Sequence, residues 1–258
     1  MGSRMFKLVN ATIAGLVTCI GIWAPVQAEP LLVGAPPSLR PVFHEILPMF
    51  EQEHDATVQI TYTPSRTLAK EVERGTTVID VFLGAGSDEI EQLHKKGLTL
   101  NGRPRVYART SLVLAKAVNS RDSLMTFPEA FQNPSVRIVL GDPRTSSLGD
   151  ITAREMMKFK PTYKNRPNLL FAAHSEEILD MIRDGKADLG LVYRIDTING
   201  GQVRISDETP FDRPVQVRFE QAVVSTCRAP LRKVAEDFSD FLMTSRIQKL
   251  LVKYGFEY

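Results

Sequence analysis

Cysteine is almost absent from this chain. Of its 258 residues only Cys19 and Cys227 are cysteines, and Cys19 lies in an N-terminal segment that has the features of a secretory signal. A chain that starts after that segment keeps one thiol, which excludes an internal disulfide. Its stability must therefore come from an ordinary hydrophobic core, for which a content of 43% hydrophobic residues is typical.

The N-terminal segment has a basic start, an apolar run over residues 8–24 and small residues at its end. Val26-Gln27-Ala28 is typical of a signal-peptidase site. We expect residues 1–28 to be a signal peptide that is cleaved off, so that the mature protein acts in the periplasm. A membrane anchor and a lipid attached to Cys19 stay open as alternatives.

An excess of positive charge is also missing. The chain has 32 Lys+Arg and 30 Asp+Glu, and the predicted signal removes two basic residues and no acidic one, which leaves equal numbers. A balanced chain lacks the basic surface that nucleic acids or anionic membranes attract. Any recognition of an anion must therefore be local.

The motifs of metal-dependent and nucleophilic enzymes are missing as well. The four histidines are scattered and give no zinc spacing, and there is neither a G-x-S-x-G elbow nor a Walker loop. Gly84-x-Gly86 starts like a dinucleotide loop, but Glu89 stands where the third glycine belongs. We therefore expect a protein that is not an enzyme and has no cofactor.

What the sequence does contain is a recurring unit of strand, tight turn and helix. Residues 31–50 open with a short buried strand, are interrupted by two prolines, and continue as an amphipathic helix after Ser38. Ser38 occupies the position of an N-cap, and Ser65 stands at a second helix start, after the strand predicted at 57–62. The first N–H groups of a helix lack intrahelical partners and carry partial positive charge, so each unit can bind an anion.

The alternation of strand and helix continues to the C-terminus. Further strands are predicted at 78–83, within 106–117, and at 136–140, 168–172, 189–193, 203–205, 215–219 and 222–226. This pattern predicts an α/β fold with mainly parallel sheets covered by helices. Ligands of such sheets lie at the carboxyl ends of the strands.

A set of short motifs follows in a fixed order. They are Ala35…Ser38-Leu39, Ser65-x-x-Leu68-Ala69 with Gly75, Asp80-Val81-Phe82, Gly141-Asp142-Pro143, the run from Ala187 to Tyr193, and Tyr254-Gly255-Phe256. This ordered set resembles the periplasmic molybdate-binding proteins of ABC importers. The resemblance extends from about residue 31 to the C-terminus, and its specificity lies in the order of the motifs.

The resemblance implies a type II periplasmic binding fold, with two α/β lobes joined by a two-crossing hinge near Thr110 and Arg218. Residues 29–109 and 219–258 would form the first lobe, and residues 110–218 would be inserted as the second. The resemblance also implies function: a monomer that captures a tetrahedral oxyanion, molybdate or tungstate, and delivers it to an inner-membrane ABC permease.

The site residues implied by the resemblance are neutral donors. They are the hydroxyl and amide of Ser38, the same groups of Ser65, the backbone amides of Leu148 and Ser175, and the hydroxyl of Tyr193. These groups would contact the oxygens of the oxyanion and would not be direct ligands of its metal. A cleft with donors only should reject phosphate, whose proton needs an acceptor, unless the carboxylate of Asp142 or Glu176 turns inward.

The sequence departs from the family pattern at several arginines. Arg66 follows Ser65 where a small residue is common, which makes it a further candidate ligand, and Arg144 and Arg194 lie near the expected cleft. Arginines that face the ligand would favour an anion other than molybdate. Three alternatives therefore stay open: a binding protein for sulfate or a small organic acid, a sensory or adaptor protein on the same fold, and a secreted enzyme, against which the missing motifs argue.

Overall fold

A computed structural model describes residues 29–86, 88–120 and 123–257. The predicted signal peptide, residues 1–28, lies outside the described residues. Among the helices of the described ranges, none has both the length and the apolar character that a membrane span requires.

The described strands form one mixed sheet. They are β1 (Leu31–Ala35), β2 (Val58–Tyr62), β3 (Val81–Ala85), β4 (Arg105–Ala117), β5 (Ile138–Gly141), β6 (Leu169–Ala172), β7 (Leu189–Tyr193), β8 (Val203–Asp207) and β9 (Gln216–Val223). Their spatial order is β2-β1-β3-β9-β4-β7-β5-β6, with β8 paired to β4.

Helices connect most of these strands and cover the sheet. They are α1 (Arg40–His54), α2 (Ser65–Arg74), α3 (Asp88–Lys95), α4 (Phe127–Gln132), α5 (Ser147–Phe159), α6 (Ser175–Arg183), α7 (Arg194–Asn199), α8 (Arg232–Phe241) and α9 (Ser245–Lys253). The spacing of apolar residues explains their packing. In α1, for example, residues three and four apart bury one face, and Phe50 meets Phe238 of α8 edge to face with ring centroids 5.0 Å apart.

The two long strands β4 and β9 join two halves of this sheet. Residues 105–111 of β4 pair with β9, and residues 112–116 pair with β7. We call β1, β2, β3, β9 and residues 105–111 the first half, and β5 to β8 with residues 112–117 the second half. Both halves contain the expected parallel pairs, β1 with β2 and β3, and β5 with β6 and β7.

Around the long strands the pairing is antiparallel, which the hydrophobic pattern does not reveal. β9 lies between β3 and β4 and runs antiparallel to both. The predicted crossing points are neighbours here, because Arg109 is paired with Arg218 and Thr110 with Val217. The lobe boundaries, 29–109 with 219–258 and 110–218, stay a prediction.

The start of α1 corrects one expectation. Ser38 is not an N-cap: it lies within the 3₁₀ turn Pro37–Leu39, and α1 starts at Arg40 with no side-chain cap. An N-cap hydroxyl accepts from an N–H two or three residues further on, and Pro41, three residues after Ser38, has no N–H. The Ser38 hydroxyl is therefore available for a partner outside its own helix.

Candidate functional site

The five predicted site residues surround one small cavity between the two halves of the sheet. It has a volume of about 20 Å³, roughly the space of one water molecule. Its lining is Pro36, Pro37, Ser38, Pro64, Ser65, Ala85, Ser146, Ser147, Leu148, His174, Ser175 and Tyr193. The structure thus brings together residues from both halves at the carboxyl ends of β1, β2, β3, β5, β6 and β7.

Two of the serines meet across the boundary between the halves. The Ser38 hydroxyl and the Ser175 hydroxyl lie 2.9 Å apart, and either can be the donor. Both side chains are buried. This contact holds the turn after β1 against the start of α6, and it uses one of the two hydroxyl hydrogens.

Ser65 is buried at the first position of α2. Its hydroxyl oxygen accepts a hydrogen bond of 3.0 Å from the amide of Ala85, at the end of β3. A hydroxyl group has one hydrogen and two lone pairs. The hydrogen of Ser65 is therefore left to be donated, and the bond from Ala85 fixes the position of the oxygen.

The second half contributes helix starts. Leu148 and Ser175 stand in the first turns of α5 and α6, where backbone N–H groups have no carbonyl partner within the helix. Ser146 caps α5 by accepting from the amide of Gly149 at 3.1 Å. His174 caps α6 by accepting from the amide of Glu177. Both helices place partial positive charge at the cavity.

Close backbone packing fixes the start of α5 against the end of β5. A side chain on Gly149 would overlap the carbonyl group of Asp142 and lie 2.6 Å from the nitrogen of Pro143. Only glycine fits this approach, because the opposing atoms belong to the backbone and cannot rotate away. The position of the neighbouring Leu148 amide depends on this contact.

Tyr193 is the last residue of β7 and is buried. Its ring packs edge to face on Phe219 with centroids 5.8 Å apart. Burial raises the pKa of the phenol well above its usual value, and the charges of Asp196 and Glu89 raise it further. The hydroxyl of Tyr193 therefore stays protonated and can donate.

Two buried carboxyl groups, those of Asp196 and Glu89, flank this set of donors, and the sequence did not single out either as a site residue. Asp196 lies in α7 and is 7% exposed, and burial raises its pKa to about 7, although the hydroxyls of Ser38 and Ser175 act in the opposite direction. Burial also raises the pKa of Glu89 in α3, which the Ser147 hydroxyl and the charge of Arg66 lower. Each carboxyl has one buried oxygen without a hydrogen-bond partner among the described residues.

The charged candidates named from the sequence have other partners and are not in the lining of the cavity. Arg144 bonds to Asp142 at 2.7 Å, and its side chain is 85% exposed. Arg194 pairs with Glu208. Each arginine thus pairs with a carboxylate outside the cavity, Arg144 with Asp142 and Arg194 with Glu208.

Arg66 joins the two halves of the sheet. Its guanidinium group donates to the carbonyl oxygen of Pro143 at 2.7 Å and forms an ion pair of 2.9 Å with Asp150. Arg40 of α1 and Glu176 of α6 form a second contact of this kind, at 3.3 Å. Side chains on both rims thus hold the halves together around the cavity.

This architecture defines a class of protein. Two halves of a sheet are joined by two long strands and enclose a donor-lined cavity, an arrangement suited to holding a small solute. The family model of bacterial extracellular solute-binding proteins matches residues 31–257, and the chain belongs to this family.

Two relatives match most of the chain. YvgL of Bacillus subtilis strain 168, named as an ABC transporter substrate-binding lipoprotein, is 24% identical over 262 residues, which cover 98% of this chain and 99% of YvgL. The molybdate-binding protein ModA of Escherichia coli strain K12 is 24% identical over 230 residues, or 88% of each chain. Both relatives are named as binding proteins.

A solved structure confirms the predicted fold class. The periplasmic molybdate-binding protein of Azotobacter vinelandii superposes with a TM-score of 0.71 at 20% identity, and the match covers 88% of this chain and 99% of that one. The chain has the type II periplasmic binding fold. The resemblance found in the sequence is therefore confirmed at the level of family and fold.

Proposed function

We propose that the protein captures a tetrahedral oxyanion, molybdate or tungstate, in the periplasm and delivers it to an inner-membrane ABC permease. The observation that carries this proposal is the single cavity in which Ser38, Ser65, Leu148, Ser175 and Tyr193 meet. Hydroxyls and free helix amides bind an anion without forming a covalent bond to it.

Capture would proceed from an open to a closed arrangement. An oxyanion has five heavy atoms and needs more room than the cavity offers, so the two halves must move apart to admit it. Ser38 and Ser65 belong to the first half and would hold the anion first. The amides of Leu148 and Ser175 would then reach it from the second half, and the contacts made by Arg66 and Arg40 would stabilise the closed form.

A titration of the mature chain, residues 29–258, with molybdate, tungstate, sulfate and phosphate at pH 6 tests the proposal. We expect one molybdate or tungstate per chain by calorimetry. Phosphate should bind about 5- to 150-fold more weakly, because an unmet proton at buried donors costs about 1–3 kcal/mol. A preference for sulfate would point to a different transported anion, and the absence of binding by all four anions would contradict the proposal.

A second prediction concerns Arg66, which the sequence offered as a candidate ligand. Since Arg66 bridges the halves and is not in the cavity lining, Arg66→Ala should weaken molybdate binding only about two- to tenfold. That range reflects the loss of a partly exposed ion pair and one hydrogen bond. The preference among anions should not change.

The matched control is Arg74→Ala, which removes the same charge at the opposite end of α2 and should leave binding as it is. Calorimetry at two salt concentrations measures the effect, since an ion pair weakens with salt. A loss above a hundredfold together with an altered anion preference would instead show that Arg66 contacts the ligand.

A further inference from the structure

The hydrogen bonds at one wall of the cavity cannot serve every acceptor. Ser38 and Ser175 each have one hydroxyl hydrogen. The 2.9 Å hydrogen bond between them uses one of these two hydrogens. The other hydrogen can be donated to the Asp196 carboxylate behind the serines or to an anion in the cavity. As long as the two serines stay in contact, it cannot be donated to both.

Asp196 is placed to compete for this hydrogen. Its carboxyl group faces both hydroxyls, and its Oδ2 atom is buried without a hydrogen-bond partner among the described residues. Its pKa of about 7 means that the group gains or loses its proton close to neutral pH. The direction of the hydrogen bonds at this wall therefore depends on one proton.

We propose that Asp196 is a positioning residue that sets which way the serine hydroxyls donate, so that a bare dianion is bound together with one proton. The inference rests on the proposed oxyanion function. When Asp196 is protonated, it donates to the serines, and a hydroxyl hydrogen is released toward the anion. When Asp196 is ionised, it draws that hydrogen away from the cavity.

An anion that carries its own proton reverses the direction of the hydrogen bonds between the cavity and Asp196. Hydrogen phosphate can donate its proton to a serine oxygen, whose hydroxyl then donates to the ionised Asp196. Molybdate has no such proton and must obtain it from solvent through Asp196. In both complexes the site and its anion share one proton, and only the source of that proton differs.

Asp196 is connected to solvent by a groove, and charged groups near it affect how readily it takes up a proton. A groove of about 280 Å³ leads from solvent to Asp196. Three charged residues of α6 line this groove: Glu176, Asp180 and Arg183. Asp196 also interacts with the phenol of Tyr193 in β7, and Arg40 of α1 pairs with Glu176. Glu176 raises the pKa of Asp196, and a bound dianion would act in the same direction.

The pH dependence follows from these protonation states. Below about pH 7 the free protein already carries the proton, so molybdate affinity should not vary with pH. Above it, affinity should fall about tenfold per pH unit, which is the linkage of one proton. Hydrogen phosphate needs no added proton in that range, so the preference for molybdate over phosphate should narrow by the same factor.

Calorimetry of molybdate binding at pH 6 and pH 8, in pairs of buffers with different ionisation heats, measures the proton directly. We expect uptake of about one proton at pH 8 and almost none at pH 6. Asp196→Asn, a neutral isostere, should bind molybdate without proton uptake at either pH. Asp180→Asn removes another carboxylate of the same groove and should keep the uptake.

Three outcomes would overturn the inference. The first is tight molybdate binding by the unmodified protein at pH 8 without proton uptake. This result would overturn the inference whether or not the Asp196→Asn protein folds. Uptake that persists in a folded Asp196→Asn protein and disappears in Glu89→Gln would assign the proton to Glu89. If no oxyanion binds at any pH, the proposed function itself fails and this inference with it.

Discussion

Removal of both the Ser38 and Ser65 hydroxyls should weaken molybdate binding by about two to four orders of magnitude. Each hydroxyl would give the charged ligand one hydrogen bond worth about 1.5–3 kcal/mol, which corresponds to a loss of roughly ten- to hundredfold per serine. The helix amides of Leu148 and Ser175 remain, so binding should weaken and not vanish.

The stability of the double variant must be measured separately. Ser65→Ala leaves the buried amide of Ala85 without its acceptor, at a cost of about 1–3 kcal/mol, and Ser38→Ala removes the partner of Ser175. Thermal melting of the ligand-free proteins shows whether they fold. Ser239→Ala, which deletes a buried hydroxyl of α8 outside the cavity lining, is the matched control. Full molybdate affinity in a folded double variant would place the binding site elsewhere.

Gly149→Ala should reduce molybdate affinity at least about tenfold and lower stability by about 1–3 kcal/mol or more, the usual cost of overpacking. The added methyl group meets the backbone of Asp142 and Pro143, which cannot move as a side chain can. The start of α5 must therefore shift away from β5, and the Leu148 amide shifts with it.

Gly84→Ala is the comparison that separates this effect from a general intolerance of added methyl groups. At Gly84 the new atom would lie 2.9 Å from the end of the flexible Ile90 side chain, so a smaller loss of stability and nearly normal binding are expected. Melting curves and calorimetry of both variants decide the matter. A stable Gly149→Ala protein with normal affinity would show that the geometry at Leu148 is not needed.

Much of the fold could be predicted from local sequence because hydrophobic alternation and helix punctuation act over a few residues. Gly75, for example, ends α2 with a positive φ, as its position suggests. The pattern could not show that the strand segments predicted at 215–219 and 222–226 belong to one strand. β9 is continuous because its partners β3 and β4, distant in sequence, pair along its whole length.

The five candidate site residues were named from the family resemblance, and the strand pattern agrees with them because parallel strands present their carboxyl ends at the same edge of a sheet. Asp196 was missed because α7 is only six residues long and gives no periodic pattern. An acidic residue in a first helical turn is typical of an exposed partner of the helix dipole. Its neighbours Ser38 and Ser175 come from other parts of the chain, so a local pattern cannot show its buried position.

The partner of Arg66 was equally invisible in the sequence. Asp150 stands far along the chain, in the first turn of α5, where it too is typical of a helix-dipole partner. The two residues meet only because the second half folds back over the first. The sequence therefore offered candidate donors through the family resemblance, but it did not show the contacts that join the two sides of the cavity.

The position of β9 has a consequence for how the molecule is made. Whether the polypeptide emerges from a ribosome or passes through a narrow pore, β1, β2 and β3 are supplied long before the strand that must lie between β3 and β4. Pairing between strands that are distant in sequence slows folding. Until β9 is present, the unpaired edges of β3 and β4 can pair with any other extended segment. The first half of the sheet therefore stays incomplete until residues 216–223 have been made.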